Sequence, residues 1–160
     1  MSKYLSAQIC LNGHTITWQL ENMKNIKTNF CTKCGAETIT SCPSCKAAIR
    51  GMYSTDSGSP LTTSYRVPAY CHKCGAAYPW TESALSAMDD LIHEDEALSI
   101  EDKERLSQSL PDLIAETPRT ALAAARVKKM TAKALAITSE HLLQFLLTHA
   151  CSKARELLGL

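Results

Sequence analysis

FCTKCGAETITSCPSCKAAIRG, residues 30–51, is the stretch that decides the fold. It holds two C-x2-C pairs, Cys31/Cys34 and Cys42/Cys45. That spacing lets one tight turn present two thiolates to a single ion. A glycine after the second cysteine, as at Gly35, permits the positive-φ turn whose N–H groups point at sulfur. A third pair follows in Cys71-His72-Lys73-Cys74-Gly75. Three pairs supply six ligands, half a site short of two tetrahedral zinc ions. Cys10-Leu-Asn-Gly13-His14 supplies the missing half. The expected metal ligands are therefore Cys10, His14, Cys31, Cys34, Cys42, Cys45, Cys71 and Cys74, for two Zn2+ per chain. Sequential pairing joins Cys10, His14, Cys31 and Cys34 in one site and the other four cysteines in the second. Cross-bracing, first pair with third and second with fourth, is the rival. His72 is a rival to His14, but its place inside a knuckle disfavours it. Cys151 falls on a helical apolar face and reads as a small hydrophobe. Each ligand pairs off and both sites close, so the zinc is structural; a catalytic site keeps an open position. No H-x-E occurs, which excludes a zinc deaminase.

Composition agrees with a metal-stabilised front. The chain has 160 residues, is 45% apolar and 21% charged, and holds only two Phe and two Trp, thin for one large core. Five of six Gly and four of six Pro lie in residues 1–79, and neither occurs in 119–158. A turn-rich front thus precedes a helical back. No apolar stretch is long enough for a transmembrane segment, and the N-terminus lacks a secretory apolar core. A cytoplasmic setting is the default, where reduced thiols favour metal over disulfides. The net charge of +1 hides an uneven distribution: +5 over 1–81, −9 over 82–116 and +5 over 117–160. Facing acidic and basic helices would account for it.

The back half reads as three or four helices. The first opens near Thr81, with Ala84, Leu85, Met88, Leu91 and Ile92 on one face. Ser99 with Asp102 resembles a capping box for the second, which Pro111 should kink or end. Thr117-Pro118 opens a third, with Ala121, Leu122, Ala125 and Ala132 allowing close helix approach. Ser139-Glu140 opens a fourth carrying Leu143, Leu146, Leu147, Ala150, Ala154, Leu157 and Leu158, widened by Leu142 and Phe145. The third and fourth are not separable from one long rod by periodicity. The expected fold is a small metal-stabilised double zinc ribbon of short β-strands (residues 1–80), followed by an all-α region (81–160).

The stretches AQICLNGHTIT (7–17), FCTKCGAETITSCPSCKAAIRG, PAYCHKCGAAYPWTE (68–82) and ETPRTALAAARVKK (116–129) resemble a bacterial family of small two-zinc proteins. That resemblance implies two zinc sites on the residues named and no established reaction. The overall plan is also similar to small zinc-finger ribonucleases of bacterial phage defence. This second likeness implies a homo-oligomer, a protein trigger and RNA as target.

Two function classes follow. In the first, the front is an RNA-directed surface, with Lys33, Lys46, Arg50, Arg66, Tyr70 and Lys73 as the nucleic-acid-binding residues. Trp18, Tyr53, Tyr65 and Tyr78 supply further rings for stacking. A ribonuclease without catalytic metal needs an acid, a base and a cation; His72, His141 and Arg119 are the candidates. In the second class the protein is a non-enzymatic adaptor. Its C-terminal helices then make protein or membrane-surface contacts.

Overall fold

The structure, a computed structural model, describes residues 3–55 and 65–160. The chain divides into two compact units, Met1–Glu82 and Ser83–Leu160.

Among the described residues, the first unit contains five short strands. β1 (Lys3–Ser6) pairs antiparallel with β5 (Arg50–Ser54), and β2 (Gln8–Cys10) lies between β3 (Thr15–Thr17) and β4 (Thr38–Ile39). Both partners of β2 are antiparallel to it. Such strands are too short to stand alone. They are held by three turns of one design. In each C-x2-C turn the first cysteine N–H donates to a carbonyl five residues on: Cys31 to Ala36, Cys42 to Ala47 and Cys71 to Ala76, all at 2.8 Å. The residue after the second cysteine donates back to the first cysteine's carbonyl, from Gly35, Lys46 and Gly75. An isolated bridge closes each turn: Phe30 with Glu37, Ser41 with Ala48, Tyr70 with Ala77.

The core of this unit joins Ala7, Ile9, Cys42, Ile49, Cys71, Tyr78 and Trp80. The Tyr78 and Trp80 rings stack at 4.6 Å. Tyr78 is 1% exposed, so it belongs to the core and not to a stacking surface. Gly13 has φ +84°, and a Cβ there would lie 3.1 Å from Trp80 Cβ, so glycine serves both the turn and the packing. Gly51 is more constrained still: a Cβ would lie 2.1 Å from the Trp18 carbonyl oxygen.

The second unit is helical. The helices are α1 (Pro79–Glu94, whose first turn belongs to the first unit), α2 (Ile100–Ser107), α3 (Leu110–Ile114), α4 (Thr120–Thr131), α5 (Ala136–His149) and α6 (Ser152–Leu158). α4 packs on α2, α3 and α6, and α3 also touches α5. The three or four expected helices become six because the second and the last are interrupted. Pro111 begins α3 near its N-terminus instead of kinking a longer helix. At Ala150-Cys151 the backbone turns extended, and Cys151 N donates to the Leu113 carbonyl at 2.8 Å. Cys151 is half-buried, and its thiol accepts from Ala154 N as the α6 cap. α4 and α5 are separate helices, not one rod.

Ser99 caps α2 as expected, its hydroxyl accepting from Asp102 N at 3.2 Å. Thr81 does not cap α1; its buried hydroxyl donates to the Ala69 carbonyl. On α4 the buried stripe is Thr120, Ala123, Ala124, Val127 and Met130, while Ala121, Leu122 and Ala125 face water. On α5 the buried residues are Thr138, Leu142, Phe145 and Leu146, which leaves Leu143 and Leu147 exposed. The acidic and basic segments do pair, through Lys133–Asp102 at 2.8 Å and Arg119–Asp112 at 3.4 Å.

Candidate metal centres and the groove beside them

Two tetrads of ligand side chains form in the first unit, Cys10/His14/Cys31/Cys34 and Cys42/Cys45/Cys71/Cys74. Within each, all four donor atoms lie within 4.8 Å of one another. The grouping is the sequential one.

The turns explain how the first tetrad assembles. Cys10 closes β2 and Gly13 folds back onto it, donating to the Cys10 carbonyl at 2.9 Å. His14 follows, and its backbone N–H donates to Cys10 Sγ at 3.2 Å. Its Nδ1 lies 3.5 Å from Cys10 Sγ, 3.7 Å from Cys31 Sγ and 3.3 Å from Cys34 Sγ. Cys10 and Cys34 sulfurs are 3.8 Å apart. In the second tetrad Cys42 and Cys74 are 3.8 Å apart, and Cys45 and Cys71 3.6 Å. A tetrahedron with Zn–S bonds of about 2.3 Å has S···S edges of about 3.8 Å. The observed edges match that figure. They are far longer than a disulfide bond of about 2 Å. Both donor sets fit Zn2+, and bound ions would cross-link segments up to 32 residues apart.

The turns also tune the thiols. The Ala36 N–H, with His14 and Asn12, holds Cys34 down to about 6. The Cys74 and Lys73 N–H groups hold Cys71 at about 6 as well. The Cys45 N–H lowers Cys42. Against the pull of the Ala76 N–H, Cys74 is pushed up to about 12 by its contact with Cys45. A tetrad of this kind shares protons among its sulfurs, and a zinc ion replaces them, since thiolate is the binding form.

A groove of about 350 Å3 lies elsewhere on this unit, lined by Tyr4, Trp18, Arg50, Tyr53, Tyr65 and Arg66 among others. Register across β1 and β5 sets Tyr4 opposite Tyr53, and their rings meet edge to face at 5.0 Å. The Arg50 guanidinium sits 4.6 Å above the Tyr4 ring. Trp18 stacks on Tyr65 at 5.8 Å, and the Tyr65 hydroxyl donates to the Arg50 carbonyl at 2.8 Å. Burial raises the Tyr65 phenol, so it stays a neutral donor.

Of the six residues expected to bind nucleic acid, Arg50 and Arg66 line this groove together. Lys33 lines a cavity beside the first tetrad. Lys46 folds back, Nζ donating to the Pro43 carbonyl at 2.9 Å. Lys73 is exposed on its turn, and Tyr70 is half-buried in the Tyr70–Ala77 bridge. Tyr4, half exposed, is a groove residue that motif reading misses. Only the pairing of β1 with a strand nearly fifty residues away makes it one. Among the candidates for catalysis, His72 lies exposed in the first unit. His141 and Arg119 belong to the second. The His141 ring Nδ1 lies 2.9 Å from the Ile137 carbonyl, and Arg119 is paired with Asp112.

The family model described as "Uncharacterized protein conserved in bacteria (DUF2321)" matches residues 3–157. The chain belongs to this bacterial family. No curated protein and no solved structure matches the chain. Membership in DUF2321 spans both the tetrads and the helices. Among the described residues, no helix is long and apolar enough to cross a membrane.

Proposed function

We propose that this DUF2321 protein binds single-stranded RNA through the Tyr4/Trp18/Arg50/Tyr53/Tyr65/Arg66 groove, on a scaffold held by two zinc ions. The observation that carries the reading is the set of four aromatic rings interleaved with two arginines along one groove. Rings offer faces to unpaired bases whatever their identity, and guanidinium groups meet phosphates. Once metallated, the front falls from +5 to +2 and the whole chain from +1 to −2, because seven thiolates outweigh two Zn2+. Attraction to RNA is thus a property of this local face, not of the whole protein.

The test is a titration of a labelled single-stranded RNA with zinc-loaded protein over a range of salt. Binding should weaken as salt rises. Trp18→Ala should cost on the order of 10-fold in affinity, as loss of one stacking platform does. Arg50→Ala should weaken binding and flatten the salt dependence. Absent binding, salt-insensitive binding, or equal affinity in Trp18→Ala would sink the reading and leave the adaptor role. Cleavage of the bound RNA, lost in His72→Ala or His141→Ala with affinity retained, would extend the reading to a ribonuclease. The triggered homo-oligomer belongs with that extension, and light scattering with and without RNA measures it.

A further inference from the structure

A cavity of about 230 Å3 adjoins the first tetrad, lined by His14, Thr15, Thr28, Cys31, Thr32 and Lys33, with Ile16 and Ile26. We infer that it is an oxyanion site that takes a phosphoryl group, distinct from the aromatic groove.

The polar groups other than the Cys31 ligand are of one kind. Three threonines and a lysine line the space, and no carboxylate does. His14 adds another donor by necessity. Its Nδ1 is the atom turned to the three thiols. With Nδ1 committed to a metal, Nε2 must carry the ring proton and can only donate. Charge along the sequence points the same way. Residues 22–36 contain Lys24, Lys27 and Lys33 and no Asp or Glu. Those three charges outweigh the formal −1 of a zinc ion held by three thiolates and a neutral imidazole.

Thr28 provides the independent observation. Its backbone is pinned by the buried Gln8: Gln8 Nε2 donates to the Thr28 carbonyl at 2.6 Å, and Thr28 N donates to Gln8 Oε1 at 3.4 Å. Thr38 Oγ1 donates to the same carbonyl. Yet the Thr28 hydroxyl, although buried, has no hydrogen-bond partner among the described residues. A buried hydroxyl without a partner is costly, and such groups are ordinarily satisfied. Thr28 lines the cavity with its main chain fixed, so an oxyanion seated there would satisfy the hydroxyl once it turns toward the space. The space exceeds several water molecules at about 30 Å3 each.

The phosphoryl group has two sources, a free phosphate or a phosphodiester of a nucleic-acid backbone. The experiment uses the full-length, zinc-loaded protein and amide NMR. One arm titrates inorganic phosphate and the other an abasic sugar-phosphate oligomer. Saturable shifts at Thr15, Thr28, Thr32 and Lys33 are expected in at least one arm. Phosphate alone acting assigns a small phosphoryl ligand, and the oligomer acting assigns a backbone phosphate; either supports the site. Thr28→Val, nearly isosteric, should weaken the effect roughly 5-fold, the scale of one neutral hydrogen bond. Lys33→Gln should weaken it on the order of 10-fold or more, since a charged donor is lost. Zinc content of two per chain and an otherwise unchanged spectrum establish that each variant folds. No saturable shift in either arm, or equal response in both variants and wild type, overturns the inference. Trp18→Ala should leave this binding unchanged, so failure here and failure of the groove reading are separable.

Discussion

Lys46 stands where the two sister turns have glycine. Its φ is +61°, against +71° at Gly35 and +74° at Gly75. A side chain in the left-handed region costs about 1–2 kcal/mol, because Cβ crowds the following carbonyl. Glycine avoids that cost but gives the unfolded chain more freedom, worth about 0.5–1 kcal/mol. Lys46→Gly should therefore stabilise the protein by about 0.5–1 kcal/mol. The lost Lys46–Pro43 contact is exposed and offsets little of this. The reciprocal change, Gly35→Ala, meets no atom within 4 Å, so its destabilisation of about 1 kcal/mol would come from the backbone alone. Thermal melts of the zinc-loaded variants measure both. A Lys46→Gly variant less stable than wild type would contradict the strain argument. The C-x2-C spacing announces the turn at Cys42/Cys45 without any glycine, because two thiolates on one ion fix the turn even where its last residue is strained.

At the scale of elements, what the sequence makes legible is what local chemistry controls. The eight ligands were readable because C-x2-C and C-x3-H are short and each places two donors by itself. Ser99 was readable as a cap because its partner, Asp102 N, lies three residues away. The strands were harder. β1 has no motif, and its role depends on pairing with β5 across the chain. The α4 face was misread because alanines lie all round that helix, so period gives little phase; Val127 and Met130 set the buried side. Asp95 carried no signal at all, since its partners are distant in sequence. It is 2% exposed and accepts from Ala97 N at 2.8 Å and Leu135 N at 2.9 Å, tying the α1–α2 turn to the start of α5. Burial alone would raise its carboxyl. Hydrogen bonds from Thr138, Leu135, Ala97 and Leu98 outweigh burial and leave it lowered. A lowered folded pKa stabilises the fold above the unfolded value of about 3.9 and is lost as pH falls through the folded value. Asp95→Asn should cost about 2 kcal/mol at neutral pH. Circular-dichroism melts of the two proteins should converge as the solution is acidified below the ordinary carboxylate range. A gap that persists unchanged in acid would rule out the charge as its source.

At the scale of the molecule, the two tetrads are not equivalent, although their ligands alternate in burial in the same order. Cys42 and Cys71 belong to the core cluster with Ile9, Ile49, Tyr78 and Trp80, whereas the first tetrad's cysteines lie outside that cluster. The second ion is therefore part of the packing that gives the front its interior. A front with so few large apolar residues depends on metal for folding free energy, about 10–16 kcal/mol for structural zinc near neutral pH. The helical unit has its own buried set, including Leu106, Leu110, Leu113, Val127 and Leu142, and contains no ligand of either tetrad. Cys71→Ser should lose the second zinc and unfold the described part of the first unit, residues 3–55 and 65–82, as a whole. Cys34→Ser, at an exposed ligand, should lose the first zinc and loosen mainly the segment from Thr28 to Thr38. Metal analysis gives the stoichiometry. Both tryptophans, Trp18 and Trp80, report on the front by fluorescence, while far-UV circular dichroism reports mainly on the helices. A strong chelator should abolish the native tryptophan signal and leave most of the helical signal in place. Loss of both signals together would show that the helices depend on zinc. Retention of both would show that the front holds without the metal, against the donor geometry on which its fold is argued to rest.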